Sequence, residues 1–173
     1  MTKFQSHMPI NNLHGWIHEL ENPDGLERKR ARFVLESVGK PAVPALIREL
    51  SSSNPNARWE AAKALAAIRD PQAAPDLVKA MEDENASVRW AATDAMISLD
   101  RDGLKALFEG LTKRFNSVWL REGAHHVLHV LANRGHLTDH EMKVFHALEH
   151  LAPEVEVPWA AETALEDMIL SRS

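Results

Sequence analysis

Apolar residues fall at helical spacing along most of the chain, and from Arg58 to Leu99 one pattern is written twice, 31 residues apart. The first copy reads RWEAAKALAAIRD (58–70) and the second RWAATDAMISLD (89–100). Arg58 maps onto Arg89, Trp59 onto Trp90, Ala61 onto Ala92, Ala64 onto Ala95, Leu65 onto Met96 and Ile68 onto Leu99. Residues three and four apart share a helix face, so Ala61, Ala64, Leu65 and Ile68 form one apolar stripe. A single helix cannot bury such a stripe alone. The fixed period therefore predicts a repeat array in which each unit stacks on its neighbours.

Upstream, Leu13, Trp16, Ile17 and Leu20 stand at i, i+3, i+4 and i+7, an amphipathic helix that Asn22, Pro23, Asp24 and Gly25 interrupt. A second helix is predicted from about Leu26 to Val38, with Ala31, Val34, Leu35 and Val38 on one face and Gly39 ending it. It repeats the Ala61 stripe at an offset of 30. PAVPALIREL (41–50) has its counterpart in AAPDLVKAM (73–81), with Pro44 over Pro75 and Leu46 over Leu77. Proline is tolerated there because the first-turn amides lack intrahelical acceptors. The unit thus reads as an alanine-rich helix followed by a proline-led one. The helix at 13–20 is of the second kind, so the array is expected to begin with half a unit.

Beyond Leu99 the pattern weakens but persists. Leu104, Leu107, Phe108 and Leu111 form a second-type helix, and Ala124, Val127, Leu128 and Leu131 a first-type one. Thr138 and Glu141 have capping-box spacing, ahead of a helix carrying Val144, Phe145, Leu148 and Leu151. Trp159, Ala161, Ala164, Leu165 and Met168 repeat the first-type pattern, after Pro153 and Pro158. Asn54 and Asn85 read as turn residues opening their helices. The expectation is an all-α solenoid of about five units and about ten helices in a right-handed superhelix. It forms a single repeat domain over 13–170, after a polar lead over 1–12.

Composition narrows the function classes. Hydrophobic residues make up 45% and charged ones 26%, a globular balance. The absence of cysteine excludes disulfides, thiolate metal ligands and cysteine nucleophiles. MTKFQSHMPINN has no apolar run of signal-peptide length, and no segment approaches a membrane span, so a soluble cytoplasmic protein is expected. The net charge of −5 is uneven: residues 138–173 carry two Lys/Arg against eight Asp/Glu. An acidic end repels phosphate backbones.

These residues resemble the HEAT repeat, in particular the short form found in HEAT-like proteins related to phycobilisome lyases, whose first helix reads Arg, two variable positions, Ala-Ala, a variable position and Ala-Leu. The resemblance covers roughly 13–170 and implies a fold shared by scaffolds, adaptors, lyases and a hydroxylase. Deoxyhypusine hydroxylases resemble this architecture and hold di-iron through His-Glu pairs just after the position of Arg58. Here those dipeptides are Trp59-Glu60, Trp90-Ala91, Glu122-Gly123 and Trp159-Ala160, none of them His-Glu. No motif marks a bilin site.

At about 100° per residue, Trp59 lies about 160° from Ala61, opposite the apolar stripe. Trp90 and Trp159 have the same offset from Ala92 and Ala161. The resemblance implies that Trp59, Glu60, Lys63, Trp90, Asp94, Glu122, His126, Trp159 and Thr163 look along one concave groove. Exposed Trp there would anchor a protein or peptide partner, the expected function of this non-catalytic module.

The helix VWLREGAHHVLHVLA (118–132) offers an alternative. Glu122, His125, His126 and His129 lie off its core face, a carboxylate and imidazoles able to bind a divalent metal in a hydroxylase- or lyase-like enzyme. His140, His146 and His150 follow on the next helix. A solvated or partner-facing cluster is the expected outcome, with no cofactor. Arg28, Lys29, Arg30 and Arg32 form the only basic run and raise nucleic-acid binding as a third reading, disfavoured by Glu60, Asp94 and Glu122 in the groove. Arg58, Arg89 and Arg121 recur in register with the fold, which assigns them a structural role towards nearby acids or helix carbonyls. No nucleophile elbow, phosphate loop or zinc-protease motif occurs.

Overall fold

Four polar residues at equivalent places set the starts of the long helices. Asp24, Asn54, Asn85 and Ser117 each turn a side-chain oxygen onto a backbone N–H of the following helix, satisfying a donor that has no intrahelical acceptor. Gly39, Arg69 and Asp100 end three of these helices with positive φ of 72°, 57° and 55°. In the computed structural model, which describes residues 12–150 and 153–171, ten α-helices and no strand result among the described residues. They are α1 (Leu13–His18), α2 (Gly25–Val38), α3 (Val43–Glu49), α4 (Pro55–Ile68), α5 (Ala74–Ala80), α6 (Ala86–Leu99), α7 (Leu104–Lys113), α8 (Val118–Asn133), α9 (Asp139–Glu149) and α10 (Pro153–Leu170). Residues 1–11 of the expected polar lead, and Leu151, lie outside the described residues.

The architecture is an all-α solenoid. α2, α4, α6 and α8 stack side by side as one layer, and α1, α3, α5 and α7 lie behind them. The consecutive helices in closest contact are α1 with α2, α3 with α4, α5 with α6, α8 with α9, and α9 with α10. The proline-led helix therefore pairs with the alanine-rich one that follows it. This corrects the expectation of a leading half unit, because α1 has its own partner in α2. One hydrophobic cluster runs from Ile17 to Ala164. Its first layer is built largely of alanine, which lets α4 and α6 approach closely.

The connections are stapled by the repeating arginine. Arg28 Nη1 donates to the Asn22 and Pro23 carbonyls at 2.7 and 3.0 Å, Arg58 Nη1 to Ser52 and Ser53 at 2.9 and 3.4 Å, and Arg89 Nη1 to Asp83 and Glu84 at 2.8 and 3.2 Å. Arg121 donates likewise to the Phe115 carbonyl. Each side chain satisfies backbone acceptors five or six residues earlier, so the arginine register is a fold signature, as its periodicity indicates.

The last hairpin breaks the stacking order. By its alanine pattern α10 is expected on α8; instead it lies against α7 and α9, and α9 lies beside α8. Val157, Ala160, Ala161 and Ala164 are the buried side of α10, and Leu104, Leu107, Phe108 and Leu111 that of α7. Arg101, just ahead of α7, grips the Glu141 carboxylate of α9 at 2.8 and 2.9 Å and also donates to the His136 carbonyl. No helix among the described residues is long and apolar enough to cross a membrane.

Candidate functional site

Trp90, in the second turn of α6, projects away from the buried side formed by Val88, Ala91, Ala92, Ala95 and Met96. It is 61% exposed, the most open large hydrophobic residue of the first layer apart from Leu26. The neighbouring helix supplies His126, whose ring meets the indole edge-on at 5.4 Å and 78°. On the other side Arg89 holds its guanidinium 4.4 Å over the Trp119 ring while donating to the Asp83 and Glu84 carbonyls. Between them opens a pocket of about 110 Å³, walled by Arg89, Trp90, Trp119 and His126, with Met81, Thr93 and Gly123 beneath and Glu122 at its side.

The pocket depends on the close approach of α6 and α8. A Cβ on Gly123 would stand 2.6 Å from Met81 Cε and 3.1 Å from Thr93 Oγ1, so only glycine fits without a shift. Thr93 is buried and spends its hydroxyl on the Arg89 carbonyl at 2.9 Å. The Glu122 side chain is exposed and makes no hydrogen bond or ion pair with the described residues.

The residues expected along one groove separate into groups. Trp90, Glu122 and His126 come together in this pocket. Lys63 and Asp94 meet loosely across α4 and α6, at 3.9 Å. Trp59 is half-buried and packs against the core, because the closely stacked neighbouring helices cover part of the face opposite the stripe. Glu60 is 3% exposed and hydrogen-bonded to Arg32 at 2.7 Å, with Arg28 at 3.9 Å; it is a buried ion-pair partner, not an open groove residue. Burial pushes its carboxyl above the usual range, against the opposing pull of Arg32. Trp159 and Thr163 are on α10, which is stacked on α7, so they do not continue the row of Trp59 and Trp90. Trp119, Met81, Thr93 and Gly123 were not expected at the site. A signal for Gly123 does exist: it takes the place of Ala91, one repeat earlier, as the smallest residue at a packed position.

A family model described as HEAT repeats matches residues 13–97. This stretch is built of HEAT repeats. No curated protein matches the chain at a significant level. The match spans α1 to α6, so the HEAT region supplies Met81, Arg89, Trp90 and Thr93, while α8 beyond it supplies the rest of the pocket.

The histidine-rich end past the HEAT match is organised by carboxylates and aromatic rings. Among the described residues no three His, Asp or Glu side chains are grouped to hold a metal ion, so Glu122, His125, His126 and His129 do not converge as the spacing allowed. His125 and His129 stack on each other at 6.2 Å and meet the Phe145 ring at tilted angles, and His126 turns to Trp90. His125 lies 3.5 Å from Glu149, as does His146; His140 lies 3.4 Å from Asp167, and His150 meets Glu156. The basic run within the HEAT stretch is likewise largely engaged. Arg28 binds loop carbonyls, and Arg32 bonds Glu36 and Glu60 at 2.7 Å. Only Lys29 and Arg30 of the four remain exposed.

Proposed function

We propose that the protein is a non-catalytic interaction module that docks a protein or peptide partner on the first-layer face at α6 and α8, with Trp90 as its anchor. The observation that carries this reading is the 61% exposed indole of Trp90 beside a preformed pocket. A large, rigid, amphipathic ring held open to solvent contributes contact area at low entropic cost, the usual character of an interface hot spot. The stacked layers of HEAT repeats commonly serve as extended binding surfaces, which supports the same class of function. The finer kinship with short HEAT-like repeats related to phycobilisome lyases rests on the period near 31 residues and the alanine-rich first helix.

The test is affinity capture from a lysate of the source organism, comparing wild type with Trp90→Ala and Trp159→Ala by quantitative mass spectrometry. A partner retained by wild type and Trp159→Ala but lost from Trp90→Ala, at unchanged melting temperature, supports the reading. A partner lost only from Trp159→Ala moves the docking surface to α10 and overturns it.

A further inference from the structure

We infer that the Trp90 pocket accepts an arginine side chain from a basic segment of the partner, an inference that rests on the docking reading above. Three observations carry it. Trp90 is 61% exposed, and its T-shaped contact with His126, at 5.4 Å and 78°, covers at most one indole face. Glu122, on the same pocket wall, is a carboxylate with no hydrogen bond or ion pair among the described residues. An exposed indole and an unpartnered carboxylate at one small opening select a flat cation, since guanidinium stacks on the ring and forks onto the carboxylate. The pocket volume of about 110 Å³ suits the head of one side chain rather than a folded element.

The remaining charges agree. Arg89 already displays this chemistry within the chain, with its guanidinium 4.4 Å over Trp119. That placement covers one face of the Arg89 guanidinium with indole and commits its Nη1 to two carbonyls. One turn beyond Trp90, Asp94 is 53% exposed and only loosely paired with Lys63, at 3.9 Å. Asp94 and Glu122 thus give this face two exposed carboxylates beside the aromatic walls of the pocket, complementary to a basic peptide.

The test is selection of random twelve-residue peptides on the immobilised full chain, with counter-selection on Trp90→Ala, followed by affinity measurement of the winners by fluorescence anisotropy. Trp90-dependent peptides should be enriched in arginine. Replacing that arginine by citrulline, a neutral isostere, should weaken binding about ten-fold, as should Glu122→Gln. Both substituted positions are exposed, and far-UV circular dichroism melts check that each variant folds as wild type does. Trp90-dependent peptides without arginine enrichment, or rich in Asp and Glu, overturn the arginine assignment and leave the docking reading standing. Recovery of no Trp90-dependent peptide overturns both.

Discussion

Arg58 and Asp83 are joined by two parallel hydrogen bonds, Nε–H to Oδ2 at 2.7 Å and Nη2–H to Oδ1 at 2.9 Å, with each side chain 9% exposed. The pair ties α4 to the turn ahead of α6, and the same guanidinium caps the Ser52 and Ser53 carbonyls. Removing one partner of a buried pair leaves the other charge without compensation. Arg58→Ala should therefore lower stability by about 3–5 kcal/mol in urea denaturation. Arg30→Ala, which removes an exposed arginine 3.7 Å from Glu27, should change it by less than about 1 kcal/mol.

Glu60 carries a predictable pH dependence. Burial raises its folded-state carboxyl above the usual 4.5, with Arg32 opposing. The folded chain therefore holds this proton more tightly than the unfolded chain, and stability from this group falls as pH rises through the window above 4.5. In Glu60→Gln that falling component is absent. The stability of the variant relative to wild type should rise between about pH 4 and pH 7, read from denaturation midpoints across pH.

Two glycines mark helix contacts of different tolerance. A Cβ on Gly110 would meet Val78 Cγ1 at 2.6 Å, and one on Gly123 would meet Met81 Cε at the same distance. The methionine tip can swing away, whereas a β-branched valine cannot. Gly110→Ala should cost about 1–3 kcal/mol by thermal melting. For Gly123→Ala the gain in helix propensity, about 1 kcal/mol, should offset much of the smaller clash, while the pocket floor fills.

Asp100 occupies φ 55° and ψ −136°, a region open to glycine and strained for other residues, and Gly39 holds the equivalent place at φ 72° and ψ −139°. Its carboxylate accepts from His136 Nδ1 at 2.8 Å. Asp100→Gly and Asp100→Ala lose that contact equally, but only glycine relieves the strain. Asp100→Gly should be the more stable variant, by about 1–2 kcal/mol in the same melts.

The two equivalent tryptophans should behave differently. Trp90→Ala should leave stability within about 0.5 kcal/mol of wild type, as a substitution on an exposed face does. Trp59→Ala removes a half-buried ring packed on the core and should cost about 2 kcal/mol. Equal melting temperatures for the two variants would contradict the difference in burial.

Trp59 and Trp90 also show how far the sequence reaches. Helical periodicity assigns both rings to the side opposite the apolar stripe, and that assignment is local. Which of them stays open depends on the stacked neighbours, and no spacing within α4 or α6 encodes that. The same limit hid Trp119 and Met81, which reach the pocket from α8 and the end of α5.

By itself the sequence determined the repeat period, the all-α solenoid, the helix starts at Asn54 and Asn85 and the structural role of Arg58, Arg89 and Arg121. Each of these follows from interactions within one unit or between identical neighbours, so each is repeated in the chain and readable there. Only the tertiary structure decided that Glu60 is buried beneath Arg32, that α10 crosses to α7, and that Trp90, Glu122 and His126 share one pocket. Those outcomes turn on packing between residues far apart in the chain, where close approach and desolvation outweigh the local helical pattern.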